Sequence, residues 1–257
     1  MIDAIGINWK FRLPELSIVI PAYNEELRLG KSLLALHQWA GEQSFDVEIL
    51  VVDDGSKDGT IKLADQFVRQ HPGTPIRILA NPANAGKGAA VRNGVLNSIG
   101  DWVLFSDADL STPIEEYSKL RSAADTSGAR VAIGSRAVDR STVGRHQSFA
   151  REASGRFFNF VMRNITGLNI QDTQCGFKLM HGPTGRKIFA VQTLDGFSFD
   201  VEMLVIAQEN AITIAEIPVR WFNADDSKVT LASGLRSFAD LVTIAKLRST
   251  GAYRIRL

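Results

Sequence analysis

A rhythm in the first 136 residues most constrains how this chain can fold. Short, β-branched, almost wholly apolar runs alternate with helical patterns, and each run stops at polar groups. The runs are LSIVIP (Leu16–Pro21), VEILVVDDGS (Val47–Ser56), IRILA (Ile76–Ala80), DWVLFSDAD (Asp101–Asp109) and RVAIGSR (Arg130–Arg136). Between them, EELRLGKSLLALHQWA sets Leu29, Leu33, Leu36 and Ala40 at helical spacing, and KDGTIKLADQFVRQH and AGKGAAVRNGVLNSI read as two further helices. A run apolar at successive positions is a strand buried on both faces. Strands alternating with helices need crossover connections, so the pattern predicts an α/β fold with a mostly parallel sheet flanked by helices. In such sheets ligands sit beyond the carboxyl ends of the strands.

The second half loses that regularity. Asp139–Ser148 reads as a loop and Arg151–Ile165 as a helix with an aromatic-rich face. Asp172–Met180 looks extended, Phe199–Ala211 helical, Ile212–Trp221 a strand, and SGLRSFADLVTIAKLR a closing helix. With 257 residues and 45% hydrophobic content there is enough apolar material for one sizeable core. Twenty-nine basic against 28 acidic residues give a net charge of +1, so no global basic field points to nucleic acid. The single cysteine, Cys175, excludes an internal disulfide framework and a cysteine-rich zinc site; it reads as a small core residue. No apolar run approaches the roughly 18 residues of a spanning helix, and MIDAIGINWKFRLPE lacks a signal-peptide pattern. A cytoplasmic location is therefore expected, with peripheral contact to the membrane face left open.

The chemistry gathers at the strand ends. Strand one gives Pro21, Ala22, Tyr23, Asn24 and Glu25; strand two gives Asp53 and Asp54; strand four gives Asp107 and Asp109. Any one of these is an ordinary turn or cap residue. Four carboxylates on one edge, however, repel one another unless a positive group sits among them. A hard divalent cation, Mg2+ or Mn2+, meets that need at Asp107 and Asp109, because carboxylate oxygens suit such ions and leave positions for substrate phosphates. Lys87, at a helix start on a glycine-rich turn, supplies a second positive locus for phosphate. Of Asp53 and Asp54, one is expected to touch a nucleotide and the other to be structural.

SIVIPAYNEELRL, VVDDGSKDGT, NAGKGAAVRNG and FSDADLSTP, in this order, resemble the family 2 glycosyltransferases of the GT-A fold. The set spans about 100 residues and is more specific than any single motif. The resemblance implies that the first two segments hold the base and ribose of a nucleotide sugar and that Asp107 and Asp109 seat the metal on its diphosphate. GSR (Gly134–Arg136), DTQCGFKL, FDVEML and EIPVRW with DDSKV are similar to the polyprenyl-phosphate branch, above all to the dolichyl-phosphate β-glucosyltransferases. Where mannosyl relatives often carry Gln, this chain has Ser111, so a metal shell there would be completed by water or donor phosphate. The implied organisation is a glycosyltransferase domain over 16–222, with a donor-binding half at 16–136 and an acceptor-side half at 137–222, followed by a C-terminal helix and basic tail at 223–257.

The implied reaction moves a hexose, glucose from UDP-glucose, onto a polyprenyl phosphate by one inverting displacement. A phosphate monoester is already largely ionised near neutral pH, its second pKa being about 6, so no strong base is required. Arginines should hold the acceptor phosphate because their fork matches its oxygens. Arg136 and Arg151 are the candidates, with Arg156 behind them. Lys228 matches the family's Gly-Ser-Lys segment and is expected at the substrate phosphates, while Asp109 serves the leaving diphosphate. The resemblance places Asp200 and Glu202 near the donor sugar, with a buried or capping role as the alternative. For Asp172 and Gln174 a structural turn and a sugar contact both stay open.

Residues 234–257 hold five bases and one acid. Leu235, Phe238, Leu241, Val242 and Ala245 form an apolar face there that fits packing on the core. In RSTGAYRIRL bases alternate with Tyr253, Ile255 and Leu257, a membrane-surface signal worth about 1 kcal/mol per base at an anionic leaflet. Phe157, Phe158, Phe160, Val161 and Met162 are expected to lie partly under the lipid chain. The alternative is transfer to a soluble hydroxyl, which needs a general base, or transfer from GDP-mannose. A receiver domain would put its acid pair after strand one, where this chain has Pro-Ala-Tyr-Asn, and the intact donor-side groups argue against a non-catalytic nucleotide-sugar binder. A homo-oligomer is compatible with the sequence.

Overall fold

The computed structural model describes residues 13–138, 162–222 and 231–256. Arg151, Arg156, Lys228, the aromatic stretch 157–161 and Leu257 lie outside the described residues, as does the side chain of Leu235.

Seven strands form one sheet: β1 (Leu16–Ala22), β2 (Val47–Asp53), β3 (Ile76–Ala80), β4 (Trp102–Ser106), β5 (Val131–Ser135), β6 (Phe177–His181) and β7 (Ile214–Pro218). Their spatial order is β3-β2-β1-β4-β6-β5-β7. The helices are α1 (Leu29–Gly41), α2 (Thr60–Gln70), α3 (Lys87–Asn97), α4 (Tyr117–Ser127), α5 (Gly182–Val191), α6 (Phe199–Glu209) and α7 (Leu231–Ser249). A 3-10 turn, Ile114–Glu116, leads into α4, and residues 162–166 are helical.

The buried-strand runs become strands because both of their faces have something to cover them. Leu16, Ile18 and Ile20 of β1 pack with α1, α2 and α4, while Val19 packs on the opposite face with α3, α5 and α6. The apolar stripe of α1 buries Leu29, Leu33 and Leu36 completely, each worth roughly 1.5–3 kcal/mol of transfer free energy. β1 pairs in parallel with β2 and β4, and β2 with β3.

The sequence pattern misses one feature of the sheet. β6 runs antiparallel between β4 and β5, pairing Ser106 with Phe177 on one side and Ile133 with Lys178 on the other. β5 and β7 are parallel, with Ser135 opposite Pro218. The sheet is therefore mixed, and the segment leading into β6 arrives at the edge where β1, β2, β4, β5 and β7 end. Helix α5 was also not expected. Its sequence, GPTGRKIFAV, carries two glycines and a proline, but the proline falls in the first turn, where its missing N–H costs nothing.

Two membrane expectations are corrected. Tyr253 is fully buried and donates from its hydroxyl to Glu202 at 2.9 Å, and Ile255 packs against the core with its N–H on Asn210 at 2.9 Å. Alternation in this tail reflects one face packed on protein. Met162 is likewise a core residue with no exposure. In α7, Leu241 and Ile244 are buried while Val242 is exposed. No helix of the described residues is long and apolar enough to cross a membrane.

Candidate active site

Parallel register brings Ala22 opposite Asp53, so the loops after β1 and β2 lie side by side. They are stitched together by their own polar groups. The Asn24 N–H donates to Ser56 Oγ (2.9 Å), Lys57 N–H to Asn24 Oδ1 (2.8 Å) and Glu25 N–H to Thr60 Oγ1 (2.7 Å). Asn24 takes φ +54°, a left-handed conformation that asparagine tolerates better than most residues. Pro21 and Ala22 end β1, and the carbonyl of Ala22 accepts from Asp54 N–H at 2.8 Å. Tyr23 is half-buried beside them. The Glu25 carboxylate is forked by Arg28 at 2.8 and 2.9 Å, a pairing that the i,i+3 spacing could have signalled.

The two acids after β2 separate cleanly. Both oxygens of Asp54 are engaged, by Asn81 Nδ2 (2.7 Å), Ala85 N–H (3.1 Å) and Gly86 N–H (2.7 Å). Asp54 therefore fixes the turn before α3. Asp53 Oδ2 accepts from Gly55 and Ser56 N–H at 3.0 Å, but its buried Oδ1 has no partner among the described residues. A buried acceptor without a donor is rare and invites a ligand N–H or O–H.

At the end of β4, Asp107 Oδ1 lies 2.6 Å from Lys87 Nζ. The Lys87 ammonium also faces the Phe105 ring at 5.2 Å and the Phe197 ring at 6.0 Å. Burial works against its charge, but Asp107, then Asp200 and Asp109, hold its pKa above the ordinary lysine value. The phosphate locus is narrower than the sequence suggests. Two first-turn amides of α3, Gly88 and Ala89, already donate to the Asp195 carbonyl at 2.7 and 3.3 Å. The Lys87 ammonium is the group of this turn that brings positive charge to an anion.

Asp109 Oδ1 accepts from Ser111 N–H at 2.9 Å, and Oδ2 lies 3.9 Å from Arg28 Nη1. Ser111 is tied down in turn, its carbonyl accepting from Phe222 N–H at 2.8 Å. Among the described residues no group of three or more His, Cys, Asp or Glu could close around a metal. Asp107 and Asp109 supply the oxygen chemistry of a hard divalent ion, whose remaining positions would fall to substrate phosphate and water.

The turn before β6 faces the same acids. Gly176 C=O accepts from Asp107 N–H at 3.1 Å. A Cβ on Gly176 would lie 2.0 Å from Asp107 Oδ2, so glycine leaves the room this carboxylate occupies. Beneath it sits Lys178, which the sequence reading did not single out. It is wholly buried, ion-paired with Asp200, and donates to the Cys175 carbonyl at 2.5 Å. Its signal was available: a lysine alternating with buried Phe177 and Leu179 must find a carboxylate inside. Burial pushes the Asp200 pKa up, against the pull of Lys178 and Lys87. The Cys175 thiol is pushed up to about 12 by burial, which removes it as a nucleophile.

Arg136, after β5, is held by Asp172 through Nε (2.7 Å), Nη2 (2.8 Å) and its own N–H (2.9 Å), and the Trp221 ring lies 5.5 Å from its guanidinium. Asp172 is in turn positioned by Glu216, which accepts its N–H at 2.8 Å, so it acts on this edge as the anchor of Arg136. Gln174 sits in the same turn, its N–H on Asp172 at 3.3 Å. Glu202 is spoken for differently from Asp200. Its carboxylate accepts from Gln192 Nε2, Thr193 N–H and Oγ1, Leu194 N–H and the Tyr253 hydroxyl, all within 3.1 Å. The structure thus gives Glu202 a supporting role for the 192–194 loop.

The family Glycosyl transferase family 2 matches over residues 17–183. The chain is 38% identical over 252 residues to a dolichyl-phosphate beta-glucosyltransferase of Drosophila melanogaster, covering 94% of this chain and 77% of that protein. Proteins of the same name from Homo sapiens (35% identical, 96% and 80% covered) and Saccharomyces cerevisiae (36%, 93% and 76%) are similar to it. Among solved structures, glucosyl-3-phosphoglycerate synthase from Mycobacterium tuberculosis with Mn2+, UDP-glucose and phosphoglyceric acid superposes with a TM-score of 0.65. That match is at 19% identity and covers 91% of this chain and 80% of the other. It shows the fold, an α/β sheet of the GT-A kind. On the matched family region and on the relatives that span more than nine-tenths of its length, this chain belongs to glycosyl transferase family 2.

Proposed function

We propose that this protein transfers glucose from UDP-glucose to a polyprenyl phosphate of the dolichyl type, with inversion at the anomeric carbon and with Mg2+ or Mn2+ at Asp107 and Asp109. The acceptor and sugar follow the names of the Drosophila melanogaster and Homo sapiens relatives, and UDP-glucose and Mn2+ occur together in the solved neighbour. The observation that carries the reading is the single strand edge that gathers Lys87 with Asp107, after β4, and Arg136, after β5. Two anionic partners need two cationic holders, and that edge has them.

In this reading Asp53 Oδ1 takes the missing donor from the base or ribose, and Asp54 keeps the α3 turn in place. When bound, the divalent ion would neutralise charge on the departing diphosphate. Lys87 exchanges its contact with Asp107 for a diphosphate oxygen and stabilises the same charge. Arg136, oriented by Asp172 and Trp221, presents its remaining edge to the acceptor phosphate; Lys228 is assigned to the substrate phosphates by its match to the family's Gly-Ser-Lys segment, and Arg151 to the acceptor phosphate by its place at the start of the aromatic-rich segment. No general base is needed, because the nucleophile is already an oxyanion. This agrees with the placement of the described histidines. His37 and His71 sit near the ends of α1 and α2, and His181 ends β6 at the opposite edge of the sheet.

We further propose attachment to the cytoplasmic membrane face by charge alone in this tail. Lys246, Arg254 and Arg256 are exposed there, whereas Tyr253 is not. The reading is tested with a panel of labelled nucleotide sugars, a short polyprenyl phosphate and Mn2+, counting label in the organic phase. Transfer from UDP-glucose above all other donors, abolished by EDTA, is expected. Transfer only to a soluble sugar, or only from GDP-mannose, would replace this reading with its rival.

A further inference from the structure

The loop between α5 and α6 is held far more firmly than a surface connection requires. Glu202 fixes its first half through Gln192, Thr193 and Leu194. Arg92 pairs with Asp195 at 2.6 Å, and the Asp195 carbonyl closes the start of α3. Gly88 permits this contact, since a Cβ there would lie 2.4 Å from the Leu194 oxygen and 2.7 Å from Phe199 Cβ. At the tip of this braced loop stands Phe197, a large apolar side chain left 37% exposed. Phe105, which flanks the same Lys87 ammonium, is fully buried, whereas Phe197 meets solvent.

The place where the ring emerges matters. Its centroid is 6.0 Å from Lys87 Nζ, which is 2.6 Å from Asp107 Oδ1. An oxygen of a diphosphate gripped by Lys87 would lie about 3 Å from Nζ. The sugar is joined to that phosphate through one oxygen, so the pyranose reaches the roughly 4.5–7 Å range over which rings pack. A hexopyranose offers an apolar C–H face, and the negative face of an aromatic ring suits it. Building a site on a braced element is how contacts of this precision are kept.

We infer that Phe197 is a specificity-determining wall of the donor site, packing its ring against the apolar face of the transferred hexose. The inference rests on the nucleotide-sugar reading above and adds the group that recognises the sugar rather than the nucleotide. The test needs no acceptor: calorimetric titration of UDP and of UDP-glucose, with Mn2+ present, into the full chain and its Phe197→Ala, Phe197→Leu and Phe197→Trp variants. Phe197→Ala is expected to weaken UDP-glucose about 3- to 10-fold while UDP changes less than twofold, the size of one ring contact. Phe197→Trp should bind UDP-glucose like the parent, and Phe197→Leu, apolar without a π face, should fall between. Equal weakening of UDP and UDP-glucose would show that the ring acts through Lys87, and unchanged binding of both would show that it touches neither; either result overturns the inference. A parent chain that binds neither ligand would overturn the donor reading itself and this inference with it.

Discussion

Replacing Gly176 with alanine tests the geometry of the acid pair by adding one methyl group. The added Cβ would lie 2.0 Å from Asp107 Oδ2, 2.3 Å from Cγ and 2.6 Å from Oδ1. Ordinary van der Waals contact begins at 3.4 Å, so the carboxylate must retreat by about 1.4 Å. Gly176 is not among the glycines with positive φ, so alanine meets no backbone penalty there. The Asp107 side chain is 34% exposed and can yield toward solvent, which should leave the fold intact. A displacement of about 1 Å in a reacting constellation costs on the order of 100-fold in rate. We therefore expect Gly176→Ala to lower kcat/KM for glucosyl transfer about 100-fold, with a melting temperature within about 5 °C of the parent. Gly41→Ala, where the Cβ meets nothing within 4 Å, is the matched control and should be neutral. A Gly176→Ala enzyme with half the parental rate would refute the argument that this carboxylate must sit over residue 176.

Lys178→Met leaves Asp200 buried without its cation and should cost about 3–5 kcal/mol in urea unfolding, with much of the loss recovered by adding Asp200→Asn. Tyr253→Phe removes a hydroxyl from the buried Glu202 carboxylate and should cost about 1.5 kcal/mol; because the ring faces the core, binding to anionic vesicles should be unchanged. The pH dependence has a definite sign. Burial tends to raise the pKa of Asp172 and of Glu116, but Arg136 lowers the first and Lys119 with Arg220 lower the second. Both groups therefore add stability above the ordinary carboxylate pKa that is lost as pH falls below it. Asp172→Asn should be less stable at neutral pH and lose less on acidification, as followed by melting temperature.

Much of the donor half was legible because its determinants are local. β1, β2 and β4 announce themselves as buried runs, and parallel crossovers force their ends onto one edge. The insertion of β6 was not legible, since strand order depends on pairings between residues about 70 apart, Ser106 with Phe177 for example. Asp53 and Asp54 are adjacent and chemically identical, and only the positions of Asn81, Ala85 and Gly86 show which is already satisfied. The tail misled for a related reason. Alternating Tyr253, Ile255 and basic residues is the pattern of any segment with one covered face, and the sequence does not say whether lipid or protein covers it. For Glu202 the sequence left a sugar contact and a buried role equally open, and Phe197 was hidden by its loop, whose sequence, QTLDGFS, carries no motif. Its meaning comes from the carboxylate that braces it.

The central claim is that one strand edge, with Lys87 and Asp107 on the donor side and Arg136 on the acceptor side, joins glucose to a lipid phosphate. The most direct measurement is the balance of products from UDP-glucose and polyprenyl phosphate with Mn2+: UDP by enzymatic assay and the lipid by mass spectrometry. The account predicts one UDP for each lipid that gains one hexose, and neither product with Asp107→Asn. UDP release without a hexosyl lipid, or undiminished lipid product from Asp107→Asn, would contradict it.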